Sequence, residues 1–142
     1  MAQTQKPTKL GYGNIGRLVA GEIAGTVGAV KSIVGLTGAC TASEDSTFLN
    51  PGGATKLAAN GFALVNADTV AAVDSGGVVD SIVQLDHVFT CTGDQSVSGF
   101  AVENDADACV IAECCLAAAL SMEAAGPDTL TCQMKIEFKL GA

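Results

Sequence analysis

Tryptophan is absent, tyrosine and histidine occur once each, and residues 57–134 contain no lysine or arginine. Each shortage removes a class of function. With His87 as the only histidine, no His-rich metal site can be assembled. The base-free stretch carries eleven acids (Asp68, Asp74, Asp80, Asp86, Asp94, Glu103, Asp105, Asp107, Glu113, Glu123 and Asp128), a surface that repels phosphates and excludes a nucleic-acid partner. No apolar run is long enough to span a membrane, and no basic-then-apolar leader opens the chain. The sequence therefore predicts a soluble protein made in a cytoplasm. With aromatics at 4%, the core is expected to be packed from small side chains, each burying little area. Burial against further subunits is then an economical route to stability.

What remains is rich in glycine, alanine and valine and patterned for strands. From Thr129 to Leu140, Leu130, Cys132, Met134, Ile136, Phe138 and Leu140 alternate without error with polar residues. That period of two marks a strand with one buried face, and it ties the C-terminal segment into a sheet. Val30–Thr37, Phe62–Val65, Thr69–Val73, Val79–Thr92, Ser96–Glu103 and Cys109–Leu116 also read as strands, with Val83, Leu85, His87, Phe89 and Cys91 on one side of theirs. Gly38–Ala54 reads as a long loop, and Gly93-Asp94 and Gly126-Pro127-Asp128 as turns. Ile15, Leu18, Val19 and Ile23 fall at helical spacing, with Asn14 placed to cap the start and Gly25 the end. These signals predict a mainly β chain, an antiparallel β-sandwich or barrel of jelly-roll-like character. They give an arm and hinge over 1–13 and one sandwich domain over 14–142 with a helix at 14–24. At 142 residues the chain is the size of a single domain. The six cysteines, 40, 91, 109, 114, 115 and 132, sit mostly in apolar surroundings and are expected as buried, reduced thiols.

One motif points elsewhere. Gly11-Tyr-Gly13-Asn-Ile-Gly16 fits the dinucleotide fingerprint G-x-G-x-x-G. Its context fails. A buried apolar strand should precede it, whereas QKPTKL does. An acid should follow about 20 residues on, whereas Val34-Gly-Leu-Thr-Gly-Ala does. Alternating strand-helix units are also missing, so the expectation is a glycine-rich hinge and no cofactor. His87 shares a strand face with Leu85 and Phe89 and is read as a hydrogen-bonded core or interface histidine, without a positioned nucleophile. Cys109, Cys114 and Cys115 form no C-x-x-C pair, which argues against zinc. Glu103, Asn104, Asp105 and Asp107 offer oxygen ligands but lack the glycine and closing glutamate of a calcium loop, so a solvated turn is expected. No active site emerges, and the protein is expected not to be an enzyme.

Four segments carry a likeness: Thr37-Gly-Ala-Cys-Thr-Ala-Ser-Glu-Asp-Ser-Thr, Phe89-Thr-Cys-Thr-Gly93, Val97-Ser-Gly-Phe-Ala-Val-Glu103, and Gly126-Pro-Asp-Thr-Leu-Thr-Cys-Gln-Met-Lys-Ile-Glu-Phe138. In this order the chain resembles a group of small structural proteins of tailed bacteriophages, with Pro127, extra cysteines and the N-terminal arm as departures. The resemblance implies a non-catalytic β-sandwich on the virion, made in the host cytoplasm. Foremost is a capsid decoration (cement) protein that stabilises the major capsid protein lattice as a homotrimer. A tail, neck or fibre subunit is the alternative, and the glycine motif leaves an oxidoreductase fragment as a third reading. In the leading reading Lys6, Pro7, Lys9, Leu10, Tyr12 and Arg17 of the arm contact the capsid or a neighbouring subunit. Lys135 and Lys139 then contact the acidic middle of the same or an adjacent subunit. Deleting residues 1–10 is expected to weaken assembly and leave the domain folded.

Overall fold

The computed structural model describes residues 3–21, 28–75, 78–104 and 109–137. Strands make up most of the described residues. They run β1 (Gln3–Pro7), β2 (Val30–Thr37), β3 (Thr55–Lys56), β4 (Val65–Asn66), β5 (Thr69–Ser75), β6 (Val78–Thr90), β7 (Gln95–Asn104), β8 (Val110–Met122) and β9 (Thr129–Glu137), with helix α1 (Lys9–Val19) between β1 and β2. Among the described residues they form a larger sheet ordered β1-β8-β7-β2-β3, in which β4 also pairs with β2, and a smaller sheet ordered β5-β6-β9. Every pairing is antiparallel. The two sheets pack as a β-sandwich.

The alternation that predicts β9 holds over the described residues. Cys132 and Met134 are buried, Leu130 and Ile136 half-buried, and Thr129, Thr131, Gln133, Lys135 and Glu137 exposed. Phe138, Lys139 and Leu140 lie outside the described residues. β9 pairs with β6 without a break from Ile82↔Glu137 to Thr90↔Thr129. Leu85 and Phe89 of β6 thereby lie with Cys132 and Met134 of β9 in one core with Ile33 of β2, Phe100 and Val102 of β7, and Ile111 and Cys114 of β8. Small side chains do not fill this centre alone. Phe89 stacks on Phe62 and on Phe100, each at 5.4 Å between ring centroids.

The N-terminal expectations need correction. Residues 3–7 are extended, as an arm would be, but they are docked as β1 along β8, from Gln3↔Leu116 to Pro7↔Ala112. The helix begins at Lys9, not Asn14. Thr8 is its cap, accepting the Gly11 N–H at 2.9 Å while its own hydroxyl donates to the Val110 carbonyl. Asn14 is buried inside the helix and is spent on another task. Its side chain donates to Gly28 O at 2.8 Å and accepts from Gly28 N at 3.0 Å and from Asn104 Nδ2 at 3.1 Å. The helix ends at Val19, before Gly21 at φ 81. Residues 22–24 of the expected helix, and Gly25, lie outside the described residues.

The second face of the larger sheet is covered by the loop 38–54, which includes a 3-10 turn at Pro51–Gly53. Val34, Leu36, Ala54, Ala101 and Val110 form a small apolar cluster there, with Cys40, Phe48 and Leu64 packed against it.

Candidate functional site

The N-terminal edge is held to the sheet by very little apolar area. Thr8 N–H donates to Ile111 O at 3.0 Å, and α1 buries only Gly11 and Asn14 fully. Gly11 crosses β8 so closely that a Cβ would stand 2.3 Å from the Ile111 carbonyl oxygen. The first glycine of the fingerprint thus has a packing role, and the strand before it is an exposed antiparallel edge. A dinucleotide fold requires a buried parallel strand at that place. A Cβ at Gly13 or Gly16 would meet nothing within 4 Å.

Because α1 buries so little, it presents apolar side chains outward. Leu10 is 48% exposed, Tyr12 61% and Val19 85%. The other large apolar side chains exposed among the described residues, Leu49, Val70 and Val88, lie away from this helix in the chain. Beside α1 a groove of about 230 Å³ runs between β1 and β9, lined by Lys6, Pro7, Tyr12, Ile111, Met134 and Lys135 among others. It adjoins a second groove of about 220 Å³, since Gln5 and Met134 line both. Four of the residues expected to make contacts, Lys6, Pro7, Tyr12 and Lys135, are therefore brought together at one groove. Lys9, Leu10 and Arg17 are on α1 but do not line it, and Lys9 is paired with Asp45. Lys135 also reaches within its own chain. Its charge adds to the hydrogen bonds from Gln84 and Gln133 that hold Asp86 below the usual carboxylate range. Lys139 lies outside the described residues.

Sequence reasoning missed a polar interior beneath the loop 38–54. Glu113 is 1% exposed, and one carboxylate oxygen accepts from the Ser43 backbone N–H and from the Ser46 hydroxyl at 2.6 Å. Ser46 Oγ in turn accepts the Gly52 N–H at 2.9 Å. Glu103 is fully buried and takes Lys56 Nζ at 2.6 Å, and that ammonium also sits 3.5 Å above the Phe48 ring. The signal was an acid inside an apolar strand, Val110-Ile-Ala-Glu113-Cys-Cys, where burial demands a built-in partner.

The expectation of six reduced cysteines is also corrected. Cys40 and Cys115 form a disulfide across 75 residues, with Cα atoms 5.4 Å apart. Strand alternation explains why Cys115 and not Cys114 is bonded. Cys114 enters the core between the sheets, while its neighbour points to the loop that carries Cys40. Cys91, Cys109, Cys114 and Cys132 are free and buried. Burial raises the thiol pKa of Cys109 and Cys114 and pushes Cys132 up to about 12.

The remaining candidates sit in structural settings. His87 lies edge-on to Phe89 at 4.5 Å, with Nδ1 3.0 Å from an Asp68 carboxylate oxygen. The Val88 N–H, and then His87, hold Asp68 below the usual carboxylate range. Asn104 is buried, its Oδ1 accepting the Cys109 N–H at 3.1 Å, while Asp105 and Asp107 lie outside the described residues. Among the described residues no group of three or more His, Cys, Asp or Glu is arranged to hold a metal, and no helix is long and apolar enough to cross a membrane. No protein-family model matches the chain, and no curated protein or solved structure is significantly similar to it.

Proposed function

We propose that this protein is a non-enzymatic structural subunit that docks through its N-terminal edge onto a larger protein assembly, as a capsid decoration protein does on a major capsid protein lattice, and that it acts as a homotrimer. The observation that carries this reading is the pair Tyr12 and Val19, seven residues apart and so on one face of α1. An apolar residue exposed singly is ordinary, but Tyr12 and Val19 stand 61% and 85% exposed on one face of an eleven-residue helix, with Leu10 exposed on the opposite side and only Ile15 and Leu18 half-buried. Lys6 and Lys135 stand at the adjoining groove together with Glu113 and Glu137, so its charges are of both signs in a chain with net charge -8. An exposed aromatic and aliphatic pair beside charges of both signs suits a protein partner with a mixed polar rim.

Deleting residues 1–10 would remove β1 and the Thr8 cap, so surface substitutions are the cleaner test. The triple variant Leu10→Ser, Tyr12→Ser, Val19→Ser is expected to fold with little change in stability and to lose co-sedimentation with purified capsids. Retained binding to capsids would sink the docking surface. Binding to isolated tails in place of capsids would move the protein to the tail, neck or fibre reading. Light scattering of the wild-type chain, alone and bound to capsids, reads the trimer separately.

A further inference from the structure

We propose that the Cys40–Cys115 disulfide is a redox latch whose reduction releases the loop 38–54 and the first turn of α1 while the core between the two sheets stays folded. Besides the packing of Ala54 and Phe48 in the small apolar cluster that includes Val110, the loop has two kinds of anchor on β8. One is the covalent bond from Cys40 to Cys115. The other is Glu113, which holds Ser43 and Ser46 through one carboxylate oxygen while its second oxygen is buried with no hydrogen-bond partner. Desolvating that second oxygen without a partner works against the noncovalent anchor. The covalent anchor is therefore the stronger of the two.

Two contacts carry the state of the loop to α1. Lys9 N–H donates to Glu44 O at 2.9 Å, and Lys9 Nζ pairs with Asp45. Leu10 and Tyr12 follow directly on this turn. Gly52 closes the loop from above. At φ 61 it adopts a conformation that suits glycine, and a Cβ there would stand 3.0 Å from both Cys40 and Cys115 sulfurs. Neither Cys40 nor Cys115 belongs to the core between the sheets, so that core does not depend on the bond.

The bond is reachable. A depression of about 300 Å³ beside β1 is lined by Gln3, Thr4, Cys40, Thr41, Cys115 and Leu116, and Cys40 is only half-buried. The reductant is a low-molecular-weight thiol. Its thiolate attacks one sulfur, a second equivalent resolves the mixed disulfide, and the products are Cys40–SH, Cys115–SH and the oxidised reagent. Cys114 and Cys132 face the other core, and their burial keeps them protonated, so they do not compete by internal exchange.

Hydrogen exchange on the full chain tests the latch, before and after dithiothreitol, with alkylation and intact mass counting thiols. Oxidised protein is expected to yield four alkylated cysteines after denaturation, and reduced protein six. On reduction, amides of residues 41–53 and 9–12 are expected to exchange about tenfold faster or more, with β6, β7 and β9 unchanged. Cys40→Ser in oxidising buffer is expected to match reduced wild type and to be insensitive to dithiothreitol. Three outcomes would overturn the proposal: six alkylatable thiols in the air-oxidised protein, unchanged exchange at 41–53 after verified reduction, or uniform acceleration in every strand, which marks a global staple.

Discussion

The two faces of the larger sheet are filled by opposite chemistry. Against the smaller sheet lies an apolar core with a run of three phenylalanines, Phe62, Phe89 and Phe100. Under the loop 38–54 lie two buried carboxylates, a half-buried ammonium and a disulfide beside a small apolar cluster. The first interior is stabilised by area removed from water and tolerates conservative swaps of shape. The second is stable only while each polar group keeps its partner, so it fails abruptly when one is lost. The loop covers only a small apolar cluster, and specific tethers add to its hold.

The comparison breaks most visibly at its apolar end. Phe89→Ala removes a ring 1% exposed that contacts Phe62, Phe100 and His87. It is expected to cost about 4 kcal/mol in urea denaturation and to lower stability in both sheets together. A loss under about 1 kcal/mol would mean that the neighbouring rings close over the gap.

At the polar end, Lys56→Met keeps length and apolar contact but strips the charge from Glu103. Removing one partner of a buried pair is severe, and the 20% exposure of the Lys56 side chain moderates it, to about 2 kcal/mol. The loss should be local, with faster exchange in β3 and in the loop 38–54 ahead of β6 and β9. Equal acceleration everywhere would show that the two interiors behave as one.

The smallest effect belongs to neither interior and calibrates both. Asp68, just before β5, and Asp86 of β6 have carboxyls held below their ordinary range. Their contribution is complete above the unfolded-state value near 4 and is lost as pH falls through the lower folded values. Asp86→Asn should therefore flatten the decline of melting temperature below about pH 4 and leave the profile at pH 5–7 parallel to wild type. An unchanged acid limb would assign the acid sensitivity to other groups.

The apolar interior was legible in the sequence because strand periodicity encodes it directly. β9 and β2 are where alternation and β-rich composition place them, and the turn residues around Gly93 and Gly126 separate strands as expected. β1 was not legible as a strand. Its five residues are all exposed, so QTQKP carries no apolar alternation to read. The helix start misled for a related reason. Asn14 has the chemistry of a cap but is used in a tertiary contact, whereas Thr8 is fixed by carbonyls more than a hundred residues away. The disulfide spans 75 residues and leaves no local trace. Of the candidate docking residues, charge and position in the chain pointed to Lys6, Pro7 and Tyr12. That Lys135 joins them is a product of strand order alone.

The seam between β1 and β9 has a further consequence for how copies of this protein coexist. Both are edge strands, one from each sheet, and unpaired edges invite another chain to zip on. Each carries residues that discourage this. β1 has Lys6 and Pro7, a charge and a residue with no N–H to offer, and β9 has Lys135 and Glu137 in its exposed row. Growth of the sheets into one another is therefore discouraged at these two edges, where an added strand would have to lie along charge and a missing N–H.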